Sequence, residues 1–281
     1  MSVARMMQQA AAGVSAGGGV VWTDPDLANA SYDGVSFSVA SELSVPTDVF
    51  FKSDGLSMYV VGQGNDTVYQ YTLSTEWDVS SASYASKSFS FASQESNPQS
   101  IFFKSDGSKM YVIGFGNITY QYSLSTAWDV STASYDSVSA SAYSQFFSRG
   151  IYFRPDGTYY YVIGNNRDSV DQYSLSTAWD ISTSTNDTVN FSVTAQDDQP
   201  QSVFFNPDGT KCYVLGADQS TDAVYEYSLS TAWDLSTASY SNISFSVASQ
   251  ETAATGITFK SDGSKMYLSG YINDTIFQYS T

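Results

Sequence analysis

The chain of 281 residues contains no histidine and a single cysteine. Without histidine there is no Ser-His-Asp triad, no imidazole general base and no supply of the commonest zinc ligand. The lone Cys212 excludes an intramolecular disulfide. It fills a slot held by Met58, Met110 and Met266 elsewhere in the chain, so a small buried apolar side chain is expected there. Basic residues are scarce: 11 Lys and Arg stand against 28 Asp and Glu, for a net charge of −17. Such a field repels nucleic acid and anionic bilayers, and neither is expected as a partner. No apolar run approaches the roughly 18 residues of a spanning helix, so no membrane insertion is expected. Gln8 and Gln9 interrupt the first apolar stretch before it reaches useful length, so no signal peptide is expected. Charged residues make up only 14 % of the chain, so hydroxyl and amide side chains cover most of the surface.

What the chain does have is a phrase in five copies: FKSDG at 51–55, FKSDG at 103–107, FRPDG at 153–157, FNPDG at 205–209 and FKSDG at 259–263. The aspartates fall at Asp54, Asp106, Asp156, Asp208 and Asp262, spaced by 52, 50, 52 and 54 residues. A fixed period of this size marks an array, and near 40–50 residues it points to propeller blades. In the second copy SIFF (100–103) reads as a buried strand and Asp-Gly as a hairpin turn. KMYVIG (109–114) is a second strand, TYQYSL (119–124) a third, and 137–142 a fourth after a longer connection over 125–135. The equivalents of that fourth strand alternate well, as in Phe89/Phe91 and Phe245/Val247.

The fifth copy stops after its third strand. Its missing part lies at the other end of the chain, where DLANASY (26–32) matches DLSTASY (234–240) and VSFSVASE (35–42) matches ISFSVASQ (243–250). Residues 26–42 are therefore expected to complete the blade formed by 256–281, which closes the ring and removes open sheet edges. The expectation is an all-β, five-bladed propeller of four-stranded antiparallel blades over 26–281, preceded by an arm at 1–25 with a Gly-rich joint. A solenoid of this period would need a helical rise that the hairpins do not supply.

Closure orients the two faces. The Asp-Gly hairpins and the connection carrying Trp77-Asp78, Trp128-Asp129, Trp179-Asp180 and Trp233-Asp234 share one face, and the arm leaves from it; we call it the tail face. In the fifth copy Pro25 replaces the tryptophan, and Trp22 lies three residues earlier. Features present in nearly every copy are read as architecture: turn-forming aspartates, capping aspartates and tryptophans that cover a sheet edge. On the opposite, variable face the copies stop agreeing. Its loops run over 42–48, 94–99, 145–149, 196–201 and 250–255, and over 62–66, 114–117, 164–168, 216–222 and 270–274. Phe115, Phe146, Phe147, Arg167, Asp197, Asp198 and Tyr271 break the polar background there and are the candidate binding residues. Paired carboxylates could run glycoside hydrolysis, but Asp66, Asp168, Asp222 and Asp274 recur by blade like turn residues, and no single deep acidic site stands out. No catalytic, cofactor or metal residue is assigned, and a non-enzymatic protein is expected.

The repeat FKSDGSKMYVIG…TYQYSLSTAWDVSTASY resembles the FKxDGxKMYV-type propeller repeats of proteins from marine bacteriophages, over residues 26–281. MSVARMMQQAAAGVSAGGG separately resembles the first residues of phage structural and tail-associated proteins. More distantly, the YVIG strand is similar to the YVTN propellers, which include surface-layer-like proteins and lactonase relatives. Lactonase metal residues do not carry over, because the blade number differs and no matching site is found. The resemblance implies a virion protein, a tail or neck appendage or a capsid decoration. On that reading residues 1–19 dock onto another virion protein or another copy of the chain. Met6, Met7, Ala10, Ala11 and Val14 are available to pack, and the variable face meets a host-surface glycan or protein. The alternative is a carbohydrate-binding propeller or a glycosidase.

Overall fold

The computed structural model describes residues 21–142, 147–217 and 222–281. The arm residues Met6, Met7, Ala10, Ala11 and Val14, and the loop residue Phe146, lie outside them. Twenty strands, β1 to β20, form five four-stranded antiparallel sheets arranged as a propeller. Blade 1 comprises β2 (Pro46–Phe51), β3 (Ser57–Gly62), β4 (Thr67–Leu73) and β5 (Ala82–Ser90). Blades 2, 3 and 4 repeat this from β6 (Pro98–Phe103), β10 (Ser148–Phe153) and β14 (Pro200–Phe205) outward. Blade 5 takes β18 (Ala254–Phe259), β19 (Lys265–Gly270) and β20 (Thr275–Ser280), and its outer strand is β1 (Ser31–Ser38). β1 runs antiparallel to β20 from Ser31 opposite Ser280 to Ser38 opposite Thr275. The five blades and the closure by the N-terminal segment thus follow the sequence expectation.

The core is divided among the blade interfaces, with five apolar clusters that each join residues of adjacent blades. Cys212 is fully buried in the cluster between blades 3 and 4, and that burial pushes its thiol far above its ordinary range. Polar side chains stitch the same interfaces. Gln70, Gln121 and Gln278 accept from the backbone N–H of Val130, Ile181 and Val79 in the next blade at 3.2–3.3 Å. The hydroxyls of Tyr59, Tyr111, Tyr161 and Tyr267 donate to the carbonyls of Trp128, Trp179, Trp233 and Trp77 at 2.6–2.9 Å.

Two segments differ from expectation. The fourth strand starts earlier than 137: β9 spans Ala133–Ser141 and β17 spans Ala238–Ser246. The segment was read as connection because a bulge hides its alternation. Ser86, Ser137, Thr188 and Asn242 adopt φ of 56–60° at that bulge, and Gly34 adopts φ 73° in blade 5. The innermost strands also start earlier. Asp48, Gln99, Arg149 and Gln201 belong to β2, β6, β10 and β14, not to the preceding loops.

Candidate functional site: the axial channel and the variable face

Along the axis the innermost strands align in layers. The layer on the tail side is aromatic: Phe50, Phe102, Tyr152 and Phe204 pack edge to face in succession, with ring centroids 5.3–5.5 Å apart, and Thr258 takes the fifth place. Above it lies a cavity of about 30 Å³ lined by Asp48, Ile101, Ile151, Ser202 and Ile257 among others. That is room for one or two waters, not for a metabolite.

The next layer holds the column Asp48, Ser100, Gly150, Ser202 and Gly256. Here Asp48 is a singular acid that the sequence reading did not find. Its carboxylate accepts from Ser100 Oγ at 2.5 Å, from Ile101 N at 3.1 Å and from Val49 N at 2.9 Å. Ser100 Oγ in turn accepts from Ile151 N at 3.2 Å, and Ser202 Oγ from Ile257 N at 3.3 Å. The serine column therefore passes one acceptor to the following blade. Asp48 supplies two because its neighbour Gly256 has no side chain, and a Cβ on Gly256 would overlap Asp48 Oδ1. Burial pushes the Asp48 carboxyl up to about 7, against the opposing pull of Ser100, Ile101 and Val49. The signal that could have found it is columnar: no other blade carries a charge there.

At the channel mouth on the variable face, each innermost strand has a bulge whose extra residue is Thr47, Gln99, Arg149, Gln201 or Thr255. The bulge turns these side chains away from the ladder. Only Arg149 among them is charged. Its guanidinium lies 4.9 Å from the centroid of Phe115, and Nη1 donates to Gln99 Oε1 at 2.9 Å. The Asn165 amide, oriented so that both its ends are paired, accepts from Arg149 Nε at 3.3 Å. Phe115 and Phe147 come from blades 2 and 3, with ring centroids 4.7 Å apart. Backbone bonds between neighbouring loops fix both: Phe115 N donates to Asn97 O at 3.0 Å, and Asn165 N to Phe147 O at 3.2 Å. Phe147 is 47 % exposed.

The other candidates sort differently. Arg167 and Asp198 are exposed on their loops, and Tyr271 stands at 45 % exposure on the blade 5 loop beside Ile272 at 60 %. Asp197 is buried at 3 %, and Oδ1 accepts from Gln199 N at 2.8 Å. Glu95 and Glu251 do the same for Asn97 N and Ala253 N. These carboxylates clamp their own loops, which removes Asp197 from the accessible surface. They also abut Gly114, Gly216 and Gly270, where any Cβ would collide with them.

The tail face is built from one repeated device. Asp106 Oδ1 accepts from Ser108 N at 2.9 Å and pairs with Lys104 at 2.7 Å. Asp54, Asp156 and Asp262 pair likewise with Lys52, Arg154 and Lys260, while Asp208 accepts from Thr210 N at 2.9 Å. Slight burial pushes the Asp106 carboxyl up, but Lys104 and Ser108 more than offset this and hold it at about 2. The glycine that follows each aspartate has φ of 70–79°. In four blades it lies under the ring of Trp77, Trp128, Trp179 or Trp233, where a Cβ would overlap the indole. Asp78, Asp129, Asp180 and Asp234 each cap a three-residue 3-10 turn through the N–H two residues on. In the fifth blade Trp22 does the tryptophan's packing. It stacks on Phe204 at 6.1 Å and meets Phe259 at 6.3 Å, as Trp233 stacks on Tyr152 and Phe205 at 6.5 and 5.6 Å.

Among the described residues no cluster of three or more His, Cys, Asp or Glu could hold a metal ion, and no helix is long and apolar enough to cross a membrane.

No protein-family model and no curated protein matches the chain. Solved structures are similar to it. One is a provisionally assigned 6-phosphogluconolactonase from Bacteroides uniformis, at 13 % identity and a TM-score of 0.51 over 83 % of this chain and 65 % of that one. Another is a functionally unknown protein from Desulfotomaculum acetoxidans, at 14 % identity and a TM-score of 0.49 over 81 % and 64 %. The chain thus spans a little under two thirds of the length of these propellers. At such identities the likeness concerns the fold alone.

Proposed function

We propose that this protein is a non-enzymatic structural component of a bacteriophage particle. Residues 1–19 fasten it through the tail face, and its variable face binds at the host surface. The observation that carries the binding half is the division of labour between the faces. The recurrent aspartates, glycines and tryptophans of the tail face are consumed in turns, caps and packing. The axial cavity between the described inner strands holds about 30 Å³. What differs from blade to blade is displayed on the other side, on loops held by backbone bonds to a rigid ring. The particle half rests on the repeat and on the N-terminal resemblance.

The test combines two measurements. Mass spectrometry of purified particles is expected to detect the chain, and a chain lacking residues 1–19 is expected to fold as a ring but stay off the particles. Particles that still carry the truncated chain overturn the anchoring role. A free carbohydrate-binding ring is the second reading, favoured by the exposed ring of Phe147 against Phe115. It predicts glycan binding by the isolated chain and absence from particles.

A further inference from the structure

Nine of the eleven Lys and Arg residues of the chain belong to one of two groups: eight form ion pairs with carboxylates, and Arg5 lies outside the described residues. The remaining two are Arg167, which is exposed to water, and Arg149, which is not. Arg149 is partly buried at the channel mouth and has only neutral neighbours, Gln99, Asn165 and Phe115. A guanidinium removed from water without a counter-charge is costly, and the fold as described does not supply one. Asn165 takes Nε and Gln99 takes Nη1, and Nη2, which makes no hydrogen bond to a described residue, is the nitrogen that remains to meet a carboxylate oxygen. Beside it Phe147 presents an exposed ring held against Phe115.

We infer that the channel mouth around Arg149 binds an acidic sugar, its carboxylate on the guanidinium and its apolar C–H face on Phe147. This rests on the proposed role of the variable face in binding at the host surface and names the ligand class. The guanidinium and the ring select that class together: a carboxylate-binding group beside an exposed aromatic face fits an acid whose carboxylate adjoins an apolar C–H face, as in a uronic or sialic acid.

The test is calorimetric titration of the full chain with a galacturonic acid tetrasaccharide and a sialic acid tetrasaccharide, each beside its methyl ester. At least one acid is expected to bind, and its methyl ester to bind at least about tenfold more weakly. Arg149→Gln is expected to cause the same loss and to abolish the preference for the acid. The ring already accommodates glutamine at this position in Gln99 and Gln201, so the variant is expected to fold. Phe147→Ala is expected to weaken acid and ester alike. Equal binding of acid and ester, or undiminished binding by Arg149→Gln, overturns the inference while leaving glycan binding by the face intact. If neither acid nor ester binds, the inference falls, while the host-surface role of the face stands or falls on the particle measurements. If only a peptide carboxylate binds, the assignment to a sugar falls.

Discussion

Replacing Asp48 with serine is expected to change how the stability of the ring depends on pH. The folded carboxyl holds its proton up to about pH 7, against 3.8 ordinarily. Between those values the folded state binds more protons than the unfolded one, so stability falls as pH rises, and it levels off above about 7. At about 1.36 kcal/mol per pH unit the gap corresponds to roughly 4 kcal/mol, of which about 2.5 kcal/mol falls between pH 5 and pH 8. Burial is the cause, and the three donors around the carboxylate only reduce the effect. Serine is the residue in this column at Ser100 and Ser202, so Asp48→Ser keeps an acceptor for Ile101 N and leaves Val49 N without one. That loss is a constant cost of about 1 kcal/mol at every pH.

The assay is urea unfolding of both chains from pH 5 to pH 8, read as the difference between the two curves. Other acids titrate equally in both and cancel. Wild type is expected to lose about 2.5 kcal/mol relative to the variant across the range, so that Asp48→Ser is the more stable chain at pH 8. Parallel curves would refute the reasoning. They would mean that the axial cavity hydrates the carboxylate well enough to keep it ionised.

Four further outcomes concern the repeated architecture and its N-terminal closure. Removing the hydroxyl in Tyr59→Phe, Tyr111→Phe or Tyr161→Phe breaks a bond to a tryptophan carbonyl and is expected to cost about 1 to 2 kcal/mol in urea unfolding. Tyr213→Phe is expected to be neutral or stabilising, because that buried hydroxyl has no partner among the described residues where Pro25 interrupts the pattern. Gly107→Ala, at φ 71° and under Trp128, is expected to destabilise by more than about 2 kcal/mol. A chain truncated by 19 residues is expected to melt like the full chain, whereas Trp22→Ala is expected to cost about 3 kcal/mol through its lost packing on Phe204 and Phe259.

The period and the ring closure were legible because they rest on local signals repeated five times. Asp-Gly turns, KMYVIG strands and the matching ends of the chain each announce themselves without tertiary knowledge. The start of the fourth strand was not legible, since a left-handed residue at the bulge shifts the alternation by one place and makes ASY look like loop. Phe115 and Phe147 were visible as loop aromatics, but their approach across the interface of blades 2 and 3 was not. Arg149 and Asp48 were passed over for one reason. Each was assigned to the end of a loop, while a backbone bulge beginning at Ser148 or Pro46 makes the innermost strand start earlier. Asp197 failed in the opposite direction: an acid in a variable loop looks available, and only the hydrogen bond back to Gln199 N shows it turned inward.

A ring of equivalent blades offers a control that ordinary domains lack, because four sister positions show what the architecture requires of a fifth. By that measure Asp48 and Arg149 are both unnecessary to the fold. Their columns are otherwise filled by serine and glycine, and by threonine and glutamine. Both lie near the axis, one acidic and one basic, yet they do not pair with each other: neither forms an ion pair with a described residue. Two charges withdrawn from water and left uncompensated cost stability that a mutual contact would have returned. Substitution toward the sister residues is therefore expected to raise the melting temperature at each site independently, above pH 7 for Asp48→Ser and at any pH for Arg149→Gln. Additive gains in the double variant would confirm that the two charges do not act on each other. A gain for Arg149→Gln accompanied by loss of acidic-sugar binding would place that residue among those kept for a ligand at the expense of the ring.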